Sequence, residues 1–164
     1  MREEYEVMCR RYYNRIYLFM LKLCGNKELA EDLTQETFYQ AILSLHRFSG
    51  QSDVFTYLAS IAKHTYYKYL RKNKLSLDNI SLGELAEVLS DTAADPLTLC
   101  EQASETLAVR SAVDKLPKKY RDIILYRIYA EMSFAQASCA MGITENSAKV
   151  LFYRAKKRLK EALK

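Results

Sequence analysis

Apolar residues recur every three or four positions along most of this chain, and nowhere do they alternate strictly. Tyr5, Met8, Cys9, Tyr12, Ile16, Phe19, Met20 and Leu23 form one stripe, which predicts an amphipathic helix over residues 5–24. Gly25-Asn26 marks its end. A second helix is expected from Lys27 to Leu45, with Leu29, Leu33, Phe38, Ile42 and Leu45 turned inward. Residues 46–53 are rich in Ser, Gly and Gln and read as a loop. A third helix over Val54–Lys72 would bury Leu58, Ile61, Ala62, Thr65 and Tyr69.

The pattern then breaks. From Asn73 to Pro96 short apolar pieces mix with Ser, Asp and Asn, which suits a partly ordered linker with one weak helix near residues 82–89. Helical spacing resumes over 97–115 and 118–129. Pro117 stands between those two, at a helix start where its missing N–H costs little. The fold class that follows is all-α, with two small helical domains joined by a partly ordered linker. The expected boundaries are 1–74, 75–96 and 97–164.

The stretch from Ser133 to Ala155 carries the most specific signal. Ser133 with Gln136 three residues on makes a capping box. Gly142 permits a left-handed helix stop, and Thr144 supplies the next N-cap oxygen. Ala148, Phe152, Ala155 and Leu159 then share one buried face. This is the layout of a helix-turn-helix, whose second helix enters the DNA major groove. The opposite face, with Glu145, Asn146, Ser147, Lys149, Val150, Tyr153, Arg154 and Lys157, is the candidate reader. Arg and Lys reach guanine edges or phosphates, Asn pairs with adenine, and Val touches a thymine methyl.

Charge sharpens the division. The net charge of +5 is the sum of +4 over residues 1–74, −7 over 75–114 and +8 over 115–164. Two basic lobes around an acidic connector suit a protein that grips nucleic acid at two places. Cys9, Cys24, Cys100 and Cys139 form no C-x-x-C pair, and His46 and His64 are not spaced to complete a zinc site. The cysteines are therefore expected to be reduced and mostly buried, with no cofactor and no metal. No Gly-rich phosphate loop and no nucleophile–base–orienter set points to an enzyme. No apolar run has the length of a membrane span, and the start Met-Arg-Glu-Glu lacks a signal-peptide core. Direct membrane insertion is thus not expected, and a cytoplasmic location is.

Two separated signatures carry a family resemblance. The first runs Ala30-Glu-Asp32-Leu-Thr-Gln35-Glu36-Thr-Phe38, then Phe48-Ser-Gly50-Gln, then Phe55-Thr-Tyr57-Leu58-Ala-Ser-Ile61-Ala62-Lys63. The second runs from Leu116-Pro117-Lys-Lys-Tyr120-Arg121 through Gly142-Ile143-Thr144 to Arg154-Ala155. In this order they resemble the extracytoplasmic-function (ECF) group of bacterial sigma factors. The resemblance spans most of the chain.

It implies an RNA polymerase specificity subunit without catalytic chemistry of its own. Its partners would be core polymerase, promoter DNA and an anti-sigma factor. Asp32, Gln35 and Glu36, one helix face by spacing, would meet the clamp of the polymerase largest subunit. Phe38 matches the family's aromatic there, as core or as contact. Phe48, Ser49 and Gly50 of the loop, with Lys63, His64, Tyr67, Lys68 and Arg71 of the third helix, would open and hold the promoter −10 element. That task needs capture of an unstacked base and a grip on single-stranded backbone. Tyr66 joins them on the side expected to face outward. Several of these tyrosines could instead be core, and Tyr57, where the family often has tryptophan, could face either way. The helix beginning at Glu145 would read the −35 element. The acidic connector would thread toward the polymerase RNA path or be a solvated tether.

Departures from the family pattern are Ala137-Ser138, which thins the core of the first motif helix, Leu151 where a basic residue is common, and Lys68 where aspartate is common. Two rival readings are a stand-alone helix-turn-helix regulator binding duplex DNA, and a helical adaptor whose basic faces bind an acidic protein.

Overall fold

The computed structural model describes residues 2–73 and 108–164. The expected linker, its weak helix near 82–89, and Cys100 lie outside the described residues. What is described is helical, with no strand.

The first lobe is a bundle of α1 (Arg2–Cys24), α2 (Lys27–Ser44) and α3 (Val54–Asn73). Gly25, at φ 68°, turns the chain out of α1, and the Asn26 carboxamide oxygen accepts from Leu29 N at 2.9 Å to start α2. Asp53 starts α3 in the same manner, accepting from Thr56 N at 2.7 Å. Between α2 and α3 lie a 3-10 turn, Leu45–Arg47, and the loop that follows it. The expected stripes fill this core. Ile16, Phe19, Met20, Leu33, Phe38, Leu58 and Ala62 are buried, and Tyr13 stacks on Phe38 at 5.7 Å between ring centroids.

The second lobe begins with a helix through residues 108–114 (α4). It continues with α5 (Lys118–Ile124), running into a π-helical stretch (Leu125–Tyr129), then α6 (Phe134–Met141) and α7 (Glu145–Ala162). Ile123, Ile124, Tyr126, Met132, Ala137, Ala148 and Ala155 form its interior.

Several sequence expectations are corrected. Ile42, assigned inward, is 41% exposed, because the core-facing side of α2 there is taken by Phe38 and Ala41. Lys63 and Tyr66, assigned to the outward side of α3, are both buried. Tyr66 donates its hydroxyl to the Leu23 carbonyl at 3.1 Å, and the second lobe covers Lys63. The cysteines are only partly hidden: Cys24 is buried, Cys9 half-buried and Cys139 exposed. The two lobes are also in direct contact, along α3, α5 and α6.

Candidate nucleic-acid and polymerase surfaces

The turn between α6 and α7 has the hydrogen bonds its residues prescribe. The Ser133 hydroxyl accepts from Gln136 N at 3.1 Å, and Gln136 Oε1 accepts from Ser133 N at 2.9 Å, closing the capping box. Gly142 sits in the left-handed region at φ 67°, and Ile143 N donates back to the Ser138 carbonyl at 3.0 Å, the bond of a Schellman stop. A Cβ on Gly142 would meet nothing within 4 Å, so its backbone conformation, and not space, calls for glycine. Thr144 Oγ1 then accepts from Ser147 N at 3.1 Å to begin α7.

An aromatic wedge fixes the pose of α7. Phe134 and Phe152 meet edge to face at 5.6 Å, and the Arg127 guanidinium lies 4.1 Å over the Phe134 ring. Arg127 Nη1 also donates to the Met132 carbonyl, so one cation ties the π-helical stretch to both motif helices. With Ala148 and Ala155 held inward, Glu145, Asn146, Ser147, Lys149, Val150, Tyr153, Arg154 and Lys157 are all exposed. Tyr153 is 71% exposed and Val150 50%, high values for apolar-rich side chains and fitting for a face awaiting a partner. Lys149 is 3.9 Å from Glu145 along the helix, a surface pair of small energetic weight. Leu151 is half-buried, lining the cleft beside Lys118 and Lys119. It therefore lies off this face, which explains how a leucine is tolerated there.

On the first lobe, Asp32, Gln35 and Glu36 are exposed on one side of α2. Glu36 Oε1 accepts from Gln40 Nε2 at 2.8 Å. Phe38 is core, 3% exposed. Sequence reasoning missed how this face continues. Tyr39, Ile42 and Leu43 carry it toward the end of α2, exposed by 54, 41 and 53%. Their spacing from Asp32 and Glu36 was the available signal.

The loop after α2 is built around an aromatic pair. Phe48 packs on Tyr57 with centroids 4.8 Å apart. The Tyr57 hydroxyl donates to the Ala41 carbonyl at 3.3 Å and shares a hydrogen bond with Ser44. Tyr57 thus faces the α2–α3 seam. Gly50 takes φ 75°, and Ser49 and Gly50 are exposed. Arg47, Phe48, Ser49, Gln51 and Tyr57 line a depression of about 250 Å³, walled on one side by Cys139 and Ala140 of α6.

Along α3, His64, Lys68 and Arg71 are exposed. His64 Nδ1 lies 2.7 Å from the Ser60 carbonyl, so Nδ1 carries the hydrogen donated there. Tyr67 is half-buried, with the Arg121 guanidinium 4.1 Å over its ring. Burial pushes the Tyr67 phenol well above its ordinary pKa, against a smaller opposing pull from Arg121. Lys63 differs from all of these, its ammonium lying 2.9 Å from Asp122 Oδ2.

Among the described residues no cluster of His, Cys, Asp or Glu could hold a metal ion. None of their helices is long and apolar enough to cross a membrane.

Comparison with known proteins identifies the family. Residues 8–75 match the model of sigma-70 region 2, and residues 106–159 match that of sigma-70 region 4. The chain is 30% identical over 151 residues to the ECF RNA polymerase sigma factor SigM of Bacillus subtilis (strain 168), covering 91% of this chain and 88% of that one. To the RNA polymerase sigma factor YlaC of the same organism it is 29% identical, covering 98% and 92%. Among solved structures, the fold resembles that of CnrH, solved in complex with the cytosolic domain of CnrY. The TM-score is 0.66 at 15% identity, covering 99% of this chain and 89% of that one. It also resembles the sigma factor RpoE of Bartonella quintana, solved with the anti-sigma factor NepR, at TM-score 0.60 and 18% identity, covering 98% and 97%. With both sigma-70 regions matched in order, and a relative 30% identical that the chain covers to 88% of its length, this protein belongs to the ECF sigma factors of the sigma-70 family.

Proposed function

We infer that this chain is an alternative sigma factor that brings core RNA polymerase to a restricted set of promoters and starts transcription there. The observation that carries this reading is the joint presence of two solvent-facing surfaces with different chemistry. One is the acidic and polar face of α2 at Asp32, Gln35 and Glu36, with its apolar continuation at Tyr39 and Leu43. The other is the exposed basic face of α7. A stand-alone DNA regulator has use for the second but not the first.

In this reading the α2 face binds the clamp of the polymerase largest subunit. Phe48, Ser49 and Gly50, with His64, Tyr67, Lys68 and Arg71, hold the opened −10 strand, while Lys63 is engaged with Asp122. The exposed side of α7 reads the −35 duplex. Residues 1–74 and 97–164 are the two functional domains, with 75–96 as an acidic linker. The protein works in the cytoplasm, as its polymerase partner requires. The similar fold of RpoE was solved with an anti-sigma factor bound, which supports an anti-sigma factor as the partner that holds this one inactive.

Affinity capture of purified core polymerase tests the reading. The chain should retain the core, and Glu36→Lys should release it while helix content is unchanged, since Glu36 is exposed and only reverses charge on the docking face. Equal retention by the variant would remove α2 from the polymerase interface.

A further inference from the structure

The outer side of α1 takes part in none of the surfaces described so far. Arg11, Arg15 and Lys22 are exposed there, and their spacing of four and seven residues places them in one row at 3.6 residues per turn. From the first to the last the row covers about 16 Å of helix. Val7 and Leu18 border it, exposed by 60% and 46%. Glu4 is exposed at the N-terminal end of the same row, so its cationic part is the stretch from Arg11 to Lys22.

Aromatic rings, not carboxylates, hold the two arginines. Arg15 lays its guanidinium 3.7 Å from the centre of the Phe55 ring, and Arg11 lies 5.7 Å from that of Tyr12. Tyr12 and Phe55 stack on each other with centroids 6.4 Å apart. A guanidinium held by a ring face keeps its N–H edge for a ligand. Asp53 feels the charge of Arg15, but its oxygens are occupied by Thr56 N and Gln136 Nε2. Among the described residues Lys22 has a carboxylate partner, Glu131 at 3.4 Å, in an exposed pair of small energetic weight.

The row adjoins the loop after α2. Phe55, beneath Arg15, precedes Thr56, which lines the depression behind Phe48 together with Gln51 and Ser52. A single file of cations one helix wide matches a single chain of phosphates. A duplex instead presents two backbones across a groove about 12 Å wide, and α7 already offers it a broader face.

We propose that Arg11, Arg15 and Lys22 form a backbone track on α1 for single-stranded DNA, taking the phosphates of the separated strand where it leaves the loop at Phe48. This rests on the sigma-factor reading for where a separated strand comes from.

The test uses the full chain with labelled single-stranded DNA of randomised sequence and a randomised duplex, each titrated across salt concentrations. Each phosphate contact to a single strand contributes about 0.7 to the slope of log affinity against log salt. Arg11→Gln combined with Arg15→Gln should therefore reduce the single-strand slope by about 1.4 and leave the duplex slope as in wild type. Arg11→Lys combined with Arg15→Lys keeps both charges and should retain the wild-type slope.

An unchanged single-strand slope in the glutamine variant would overturn the proposal. An equal fall on the duplex would also overturn it, making the row a general phosphate grip. Loss of core polymerase retention with the single-strand slope intact would assign the row to a protein contact instead. If removing Arg15 from Phe55 unfolds the double variant, Arg11→Gln alone is read in the same way, with an expected fall of about 0.7. A wild type that retains no core polymerase would defeat the sigma-factor reading, even where the slope change stands.

Discussion

Asp53 and Gln136 lie 83 residues apart, and each serves two structures through the hydrogen bond between them, Gln136 Nε2 to Asp53 Oδ2 at 2.9 Å. The other oxygen of Asp53 caps α3 through Thr56 N. The other end of the Gln136 amide closes the capping box that starts the helix-turn-helix. One carboxylate thus fixes the entry of α3 and the seating of the helix-turn-helix against it.

Asp53→Ala should therefore destabilise the protein by about 0.5–2 kcal/mol, the ordinary worth of an N-cap, as read by urea denaturation. Burial disfavours the Asp53 charge, but hydrogen bonds from Gln136 and from the Thr56 backbone outweigh it and hold the carboxyl below its usual pKa. A depressed folded-state pKa contributes stability that is fully present above the unfolded value, about 3.9. That contribution is lost as pH falls from there through the folded value. In the variant this acid-limb loss should shrink; an unchanged acid limb would show that Asp53 is not its source.

Arg110→Met should stabilise the protein. Its guanidinium is buried with both terminal nitrogens unpartnered, and burial lowers its pKa against the weaker pull of Tyr66, Tyr129 and Cys24. Methionine keeps much of the packing of the stem and removes the stranded polar group, whose desolvation costs about 1–3 kcal/mol. Thermal unfolding should move upward; a fall would mean that the cation has a partner it needs.

Arg154→Ala should weaken binding to a cognate −35 duplex by about 1–3 kcal/mol if the side chain reads a base edge, with loss of discrimination at one position. If it grips phosphate, binding should weaken on all sequences alike and the salt slope should fall by about one. Titration of wild type and variant across salt concentrations on matched and mismatched duplexes decides between the two. An unchanged affinity would mean that the exposed face of α7 does not enter the groove.

Local rules carried the reading where local chemistry decides the structure. Ser133 with Gln136, Gly142 and Thr144 specify their own turn through hydrogen bonds within a few residues, and all of those bonds form. The α1 and α3 stripes succeed because a continuous apolar face has one place to go. Lys63 fails for the opposite reason. A lysine in a run of polar and aromatic residues reads as solvated until Asp122, 59 positions on, supplies a buried partner, and no periodicity in α3 carries that information. Ile42 was misplaced for a related reason: an apolar residue reads as core, whereas here it is exposed beside a polar face of α2. The sites given by family resemblance landed on exposed surface on α2 and α7. On α3 they divide between exposed residues and ones the second lobe covers.

The most direct test of the account is run-off transcription on a genomic fragment library with purified core RNA polymerase and this chain. The account predicts discrete transcripts that require the chain and start downstream of paired −35 and −10 elements. Glu36→Lys and Arg154→Ala should each reduce them. Binding of the chain to duplex DNA with no chain-dependent transcript, and no retention of core polymerase, would contradict it.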